Sequence, residues 1–204
     1  MIRTVIIISV FIANFCASSS GQNTDFLIDE RDGNMYLVAK FNDTWWMCQN
    51  LKYDAGEGSA CYDDKDTKCM LEGRLYNHSS ALKACPEGYS LPGDEEWKAL
   101  ESYIGMPEDE LDGNYMRNSG QVGKYLKVGG GIGFDAILAG IINLDGKSLQ
   151  TGLKAYFWSS SEDANKGVWA RIISKNSDGV ERKTIDPGYK LSVRCVKKAQ
   201  ADSN

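Results

Sequence analysis

Histidine is almost missing from this chain: His78 is the only one in 204 residues. One imidazole cannot build a His-rich zinc site, and it leaves any Ser-His-Asp or Cys-His centre dependent on that position. Nothing around Asn77-His78-Ser79 resembles a nucleophile turn, so His78 is expected on a helix surface and no catalytic residue is assigned. Basic runs are missing too, and with a formal net charge of −5 this argues against nucleic acid or an anionic membrane as partner. No apolar run reaches the roughly 20 residues that a membrane-spanning helix requires, because Asn14 interrupts the apolar residues 5–13. Phosphate-binding signatures fail on spacing. Gly129-Gly130-Gly131-Ile132-Gly133 is not a dinucleotide fingerprint, and the stretch from Gly140 to Gly146-Lys147-Ser148 has five residues between its glycines where a phosphate loop has four. Asp63, Asp64 and Asp66 lack the glycine and distal Glu of a calcium loop, so they read as a solvated acidic segment, with no metal and no cofactor implied.

Proline is also scarce, at 4 against 21 glycines, and Trp and Tyr are plentiful, which suits a turn-rich β-containing domain. Arg3, the apolar residues after it and Ala17-Ser18-Ser19-Ser20 read as an export signal over residues 1–20, either cleaved or a lipoprotein signal ending before Cys16. The expected location is therefore secreted or cell-surface, with a lipid anchor through Cys16 as one form of it. Export turns attention to the six cysteines, since disulfides persist outside the cytosol. Cys61 and Cys69 flank a polar run that a local bridge would staple, and Cys85 with Cys195 would tie a helix junction to the last strand. The chain-entropy model gives roughly 4.8 kcal/mol for the long loop and about 2.6 for the short one. Cys48 follows Trp45-Trp46-Met47 and is left over as a buried small residue.

Taken in order, residues 26–51 alternate as strands broken by Asp32-Gly33 and Asn42-Asp43. Residues 52–73 form a polar excursion, residues 76–84 a short helix, and residues 94–104 a second helix that buries Trp97, Leu100 and Ile104 while Glu95, Glu96, Lys98 and Glu101 fall elsewhere. A short helix is expected around residues 121–127 within a Gly-rich loop region. Strands return at Tyr156-Phe157-Trp158, 168–173, 180–185 and 191–196. A binding surface is sought on the Gly-rich loops of residues 105–155 and near Trp158, Ser160 and Glu162, extended by Trp169 and Arg171, which lie two apart on the next strand and so share a face. The alternative is that Trp158 is buried and the serines satisfy backbone groups.

The motifs Trp46-Met47, Asn50-Leu51, Gly73-Arg74-Leu75-Tyr76, Cys85-Pro86-Glu87-Gly88-Tyr89-Ser90-Leu91-Pro92, Glu96-Trp97, Gly133-Phe134, Trp158-Ser159-Ser160-Ser161-Glu162 and Ser192-Val193-Arg194-Cys195-Val196 occur in the order found in one family. On these the chain resembles the Fibrobacter succinogenes major paralogous domain family over residues 25–198, with residues 199–204 as a polar tail. The resemblance implies an α+β, C-type-lectin-like fold of mainly antiparallel strands, two short helices and long loops, and it supports the Cys85 to Cys195 pairing. Two positions depart from the family: Cys48 stands where a small or polar residue is usual, and Gly93 where Ser is usual. The sugar-binding signatures of calcium-dependent lectins are absent. The expected function is therefore a non-catalytic ligand-binding or adhesion module whose partner is a polysaccharide or an envelope protein. The alternative is a structural or protein-interaction domain of the cell envelope.

Overall fold

Residues 23–199 are described in the computed structural model of the chain. The expected export signal over residues 1–20, Cys16 within it, and the tail after Ala199 lie outside the described residues. Apolar runs separated by turns form β1 (Thr24–Ile28), β2 (Met35–Phe41) and β3 (Thr44–Met47), and the polar excursion that follows contains β4 (Ser59–Ala60) and α1 (Asp66–Glu72). Next come β5 (Leu75–Tyr76), α2 (His78–Ala84), α3 (Asp94–Ile104), β6 (Met116–Arg117) and α4 (Val122–Leu126). A small hairpin of β7 (Ile141–Ile142) and β8 (Ser148–Leu149) precedes β9 (Lys154–Glu162), β10 (Val168–Ser174), β11 (Val180–Ile185), β12 (Leu191–Ser192) and β13 (Val196–Lys198). The architecture is α+β. A sheet ordered β1-β2-β3-β13 stands beside a larger one ordered β4-β5-β12-β9-β10-β11-β6, in which β12 and β9 form a parallel pair and the other pairs run antiparallel.

The central strands carry apolar groups on both faces. Tyr156, Trp158, Ala170 and Ile172 belong to one core cluster, while Ala155, Phe157 and Ile173 belong to a second. Neighbouring side chains point to opposite faces, so a strand covered on both sides reads as an unbroken apolar run. In the second cluster Trp46 meets Trp97 with ring centroids 4.8 Å apart in a T-shaped contact, and Phe134 and Phe157 close around them. Cys61–Cys69 and Cys85–Cys195 are disulfides, with Cα separations of 5.1 and 5.8 Å. Cys48 is buried.

Four expectations change. The polar run after Cys61 is not all loop, because α1 carries Cys69 on its buried side. Residues 191–196 are not one strand: the chain leaves the larger sheet after Ser192 and joins the smaller one at Val196. Arg194 sits in that crossing without solvent contact, donating to Asn50 Oδ1 at 2.7 Å and to the carbonyls of Met47 at 3.0 Å and Phe134 at 2.7 Å. It satisfies backbone groups that no ladder reaches there, and burial pushes its guanidinium down to about 10. Glu101 lies on the buried face of α3, not off it, because two guanidinium groups meet it there. His78 is buried instead of exposed, its Nε2 donating to the Ser159 carbonyl at 3.2 Å and its ring beside Trp158.

Candidate functional site

The serines after Trp158 form an irregularity between β9 and β10. Val168 faces Glu162 and Ala170 faces Trp158, so Ser159, Ser160 and Ser161 together oppose Trp169. This bulge docks the start of α3. Ser160 N–H donates to the Pro92 carbonyl at 2.8 Å, Ser161 Oγ accepts from the Asp94 amide at 3.0 Å, and the Trp97 indole donates to the Trp158 carbonyl at 3.2 Å. Gly93 cannot cap α3 with a side chain, so the hydroxyl arrives from across the sheet, and Glu96 accepts the Gly93 amide at 2.9 Å.

Trp169 and Arg171 do share a face, joined by Arg182, whose guanidinium lies 3.5 Å from the Trp169 ring centroid. Arg171 itself is fully buried, bonded to Asp94 and Glu101 at 2.7 Å each. Trp158 points to the opposite face, also fully buried, with its indole donating to the Tyr76 carbonyl at 2.7 Å. Burial thus removes Trp158 and Arg171 from any exposed surface. Of the five candidate residues only Glu162 is exposed, with Ser160 and Trp169 part-buried, so the five do not converge on one site.

A concave surface lies elsewhere. A shallow, open cleft of about 480 Å³ lies between the turn that carries Asp63 and Asp64 and the β7–β8 hairpin, with Lys147, Ser148 and Leu149 on the hairpin side and Ile142 beneath. Both walls are fixed. Asp63 and Asp64 have φ of 55° and 53°, a left-handed conformation that non-glycine residues hold only when their surroundings impose it. Here the Cys61–Cys69 bridge brackets them, the Asp64 amide bonds the Cys61 carbonyl at 3.1 Å, and the Asp63 amide donates to Ser148 Oγ at 2.8 Å across the cleft. The hairpin is held at its base by Gly140, where a Cβ would come within 2.3 Å of the Leu149 carbonyl and 2.9 Å of the Tyr62 ring. Tyr62, Leu75 and Ile142 form a small core under the cleft. Exposed carboxylates, an ammonium and a hydroxyl therefore surround a partly apolar floor. Such a set offers hydrogen bonds in both directions.

A second depression, of about 360 Å³, lies where Tyr53, Asp54 and Ala55 face Ser79, Ser80 and Lys83 of α2. Arg31 stacks 3.7 Å from the centroid of the Tyr53 ring, and Asp54 pairs with Arg74. Among the described residues no group of three or more His, Cys, Asp or Glu could hold a metal ion, and no helix is long and apolar enough to cross a membrane. Lys147, Ser148 and Leu149 went unassigned from sequence although a signal was present: Asp145-Gly146 is a hairpin turn pair between Ile141-Ile142 and Ser148-Leu149.

Comparison with known families matches residues 39–197 to the family described as the Fibrobacter succinogenes major domain. No curated protein and no solved structure matches the chain.

Proposed function

The chain belongs to the Fibrobacter succinogenes major domain family, and from that premise we propose that it is an exported, non-catalytic binding or adhesion module taking a hydroxyl-rich polysaccharide at a bacterial surface. The observation that carries this reading is the cleft between Asp63-Asp64 and the β7–β8 hairpin, whose walls are held in place before any ligand arrives. Preorganisation lowers the entropy cost of binding. Alternating acceptors and donors over an apolar floor suit a sugar ring, which presents hydroxyls at its edge and C–H groups on its face.

The non-catalytic part of the proposal draws on how the chemically capable residues are used. His78 is committed to the Ser159 carbonyl, and Cys48 lies in the core with its Sγ 3.9 Å from the Trp46 carbonyl. The finer reading of the fold as C-type-lectin-like is part of the same proposal. It is supported by the Cys85–Cys195 link between a helix end and the last strands, and by the long Gly-rich region between α3 and β9.

Retention of the protein on insoluble polysaccharides, run beside a glycan array, tests the proposal. Retention on at least one polysaccharide is expected, weakened by the double variant Asp64→Asn/Lys147→Ala. Failure to bind any glycan, with recovery of a protein partner from envelope extracts, would instead favour the protein-interaction alternative.

A further inference from the structure

The smaller sheet ends in β13 on one side and in β1 on the other. The two edges differ. β13 carries the exposed Lys197 and Lys198 and is bridged by Ser90, which faces Val196, whereas among the described residues β1 has no strand on its outer side. Its sequence, Thr24-Asp25-Phe26-Leu27-Ile28, holds no proline and no lysine, and its register against β2 runs without a shift. Lysine, proline and bulges are the usual means by which an edge is kept from pairing with another chain.

The ladder to β2 fixes which backbone groups face outward. The Lys40 amide donates to the Asn23 carbonyl at 2.9 Å and the Asp29 amide to the Asn34 carbonyl at 2.8 Å. Hydrogen-bonded pairs alternate along an antiparallel ladder, so Asn23, Asp25, Leu27 and Asp29 turn their backbone groups toward β2, and Thr24, Phe26 and Ile28 turn theirs to the open edge. The Phe26 amide agrees with this, since it donates to the exposed carboxylate of its neighbour Asp25 at 2.8 Å instead of to a strand. Side chains two apart share a face. Phe26 and Ile28 are each 60% exposed, and Met35, opposite Ile28 on β2, is 62% exposed.

We propose that β1 pairs antiparallel with β1 of a second copy of this chain about a two-fold axis through Phe26, joining the two smaller sheets into one. The strand is complementary to itself in that register. Thr24 meets Ile28 of the copy and Phe26 meets Phe26, so all three outward residues fall in hydrogen-bonded pairs, while Asp25 lies opposite Leu27 and not opposite another carboxylate. Phe26, Ile28 and Met35 of both copies then make one apolar face. Five residues a side is far fewer than the roughly 20–30 of a stable interface, so the dimer is weak and forms at high protein concentration.

Sedimentation of the mature protein from about 10 µM to about 1 mM tests this, with the average mass expected to rise toward that of a dimer. Phe26→Lys and Phe26→Glu each set like charges against one another across the axis and should weaken association about tenfold or more, and an equimolar mixture of the two should restore it. Thr24→Pro removes an outward amide and no bond to β2, and should also weaken it. Unchanged thermal unfolding shows that the variants fold. Association that none of these changes alters, or a mixture of the two charged variants that stays monomeric, would overturn the proposal. So would a native protein still monomeric at about 1 mM, a result that leaves the edge to an extended segment of another protein.

Discussion

Glu101 has no solvent contact, and both its oxygens are taken: Arg117 grips them at 2.8 Å each, and Arg171 Nε adds a bond of 2.7 Å. Asp94 supports the same cluster from the first turn of α3, bonded to Arg171 and Arg182. Breaking such a pair leaves a buried charge without compensation, so Glu101→Gln should cost about 3–5 kcal/mol in urea unfolding. Exposed Ser102→Ala should stay within about 0.5 kcal/mol. Two residues here also set the response to acid. Burial pushes the Asp94 carboxyl up, but the Arg182 hydrogen bond and the Arg171 charge outweigh it, and the group ends below its ordinary value of 3.8. Burial pushes His78 down from 6.5, only partly offset by the Ser159 carbonyl. In both cases the unfolded chain binds the proton more readily, so stability is present above the unfolded value and is lost as pH falls. The unfolding midpoint should therefore hold steady between about pH 7 and pH 9, decline below about 6.5 as His78 protonates in the unfolded chain, and decline again below about 3.8. In a His78→Gln variant the first decline should vanish and the second remain.

At the scale of elements, the bulge of β9 and the start of α3 depend on each other. Ser161→Ala removes the hydroxyl that receives the Asp94 amide and should cost about 0.5–2 kcal/mol, as loss of a helix cap does, read as a fall in melting temperature. Removing the Cys61–Cys69 staple is a different loss. The chain-entropy model gives about 2.6 kcal/mol for so short a loop, and a Cys61→Ser/Cys69→Ser variant should also slacken the wall carrying Asp63 and Asp64, seen as faster amide hydrogen exchange at those residues. Much at this scale was legible in the sequence. Apolar runs between turns marked β2, β3 and β11, close spacing marked the Cys61–Cys69 bridge, and the family resemblance supported Cys85 with Cys195. What stayed hidden depends on partners far away in the chain. Glu101 looked solvated because Arg171 is 70 positions distant, and the Ser159 to Ser161 run looked like a binding surface because nothing local shows a helix start lying above it. The cleft was half legible: its hairpin wall lies in the Gly-rich region marked for binding, but its other wall is 85 positions away at the Asp63 to Ser148 contact.

For the whole molecule, two sheets share a doubly covered centre, and the chain crosses between them where Arg194 and Cys195 sit. Cys85–Cys195 locks that crossing to the end of α2 across a sequence separation of 110. A loop of that size is worth roughly 4.8 kcal/mol in the chain-entropy model, so its removal should destabilise more than removal of the short staple. The scaffold therefore spends its covalent links on one long closure in the core and one short clamp beside the cleft. The site proposed for a glycan lies beside that clamp. Amide chemical shifts of the isotope-labelled protein, followed while an oligosaccharide that binds on the array is added, show whether a glycan sits there. The largest shifts are expected at Asp63, Asp64, Lys147, Ser148 and Leu149. Shifts confined to other surfaces, or no array member that binds at all, would contradict that placement.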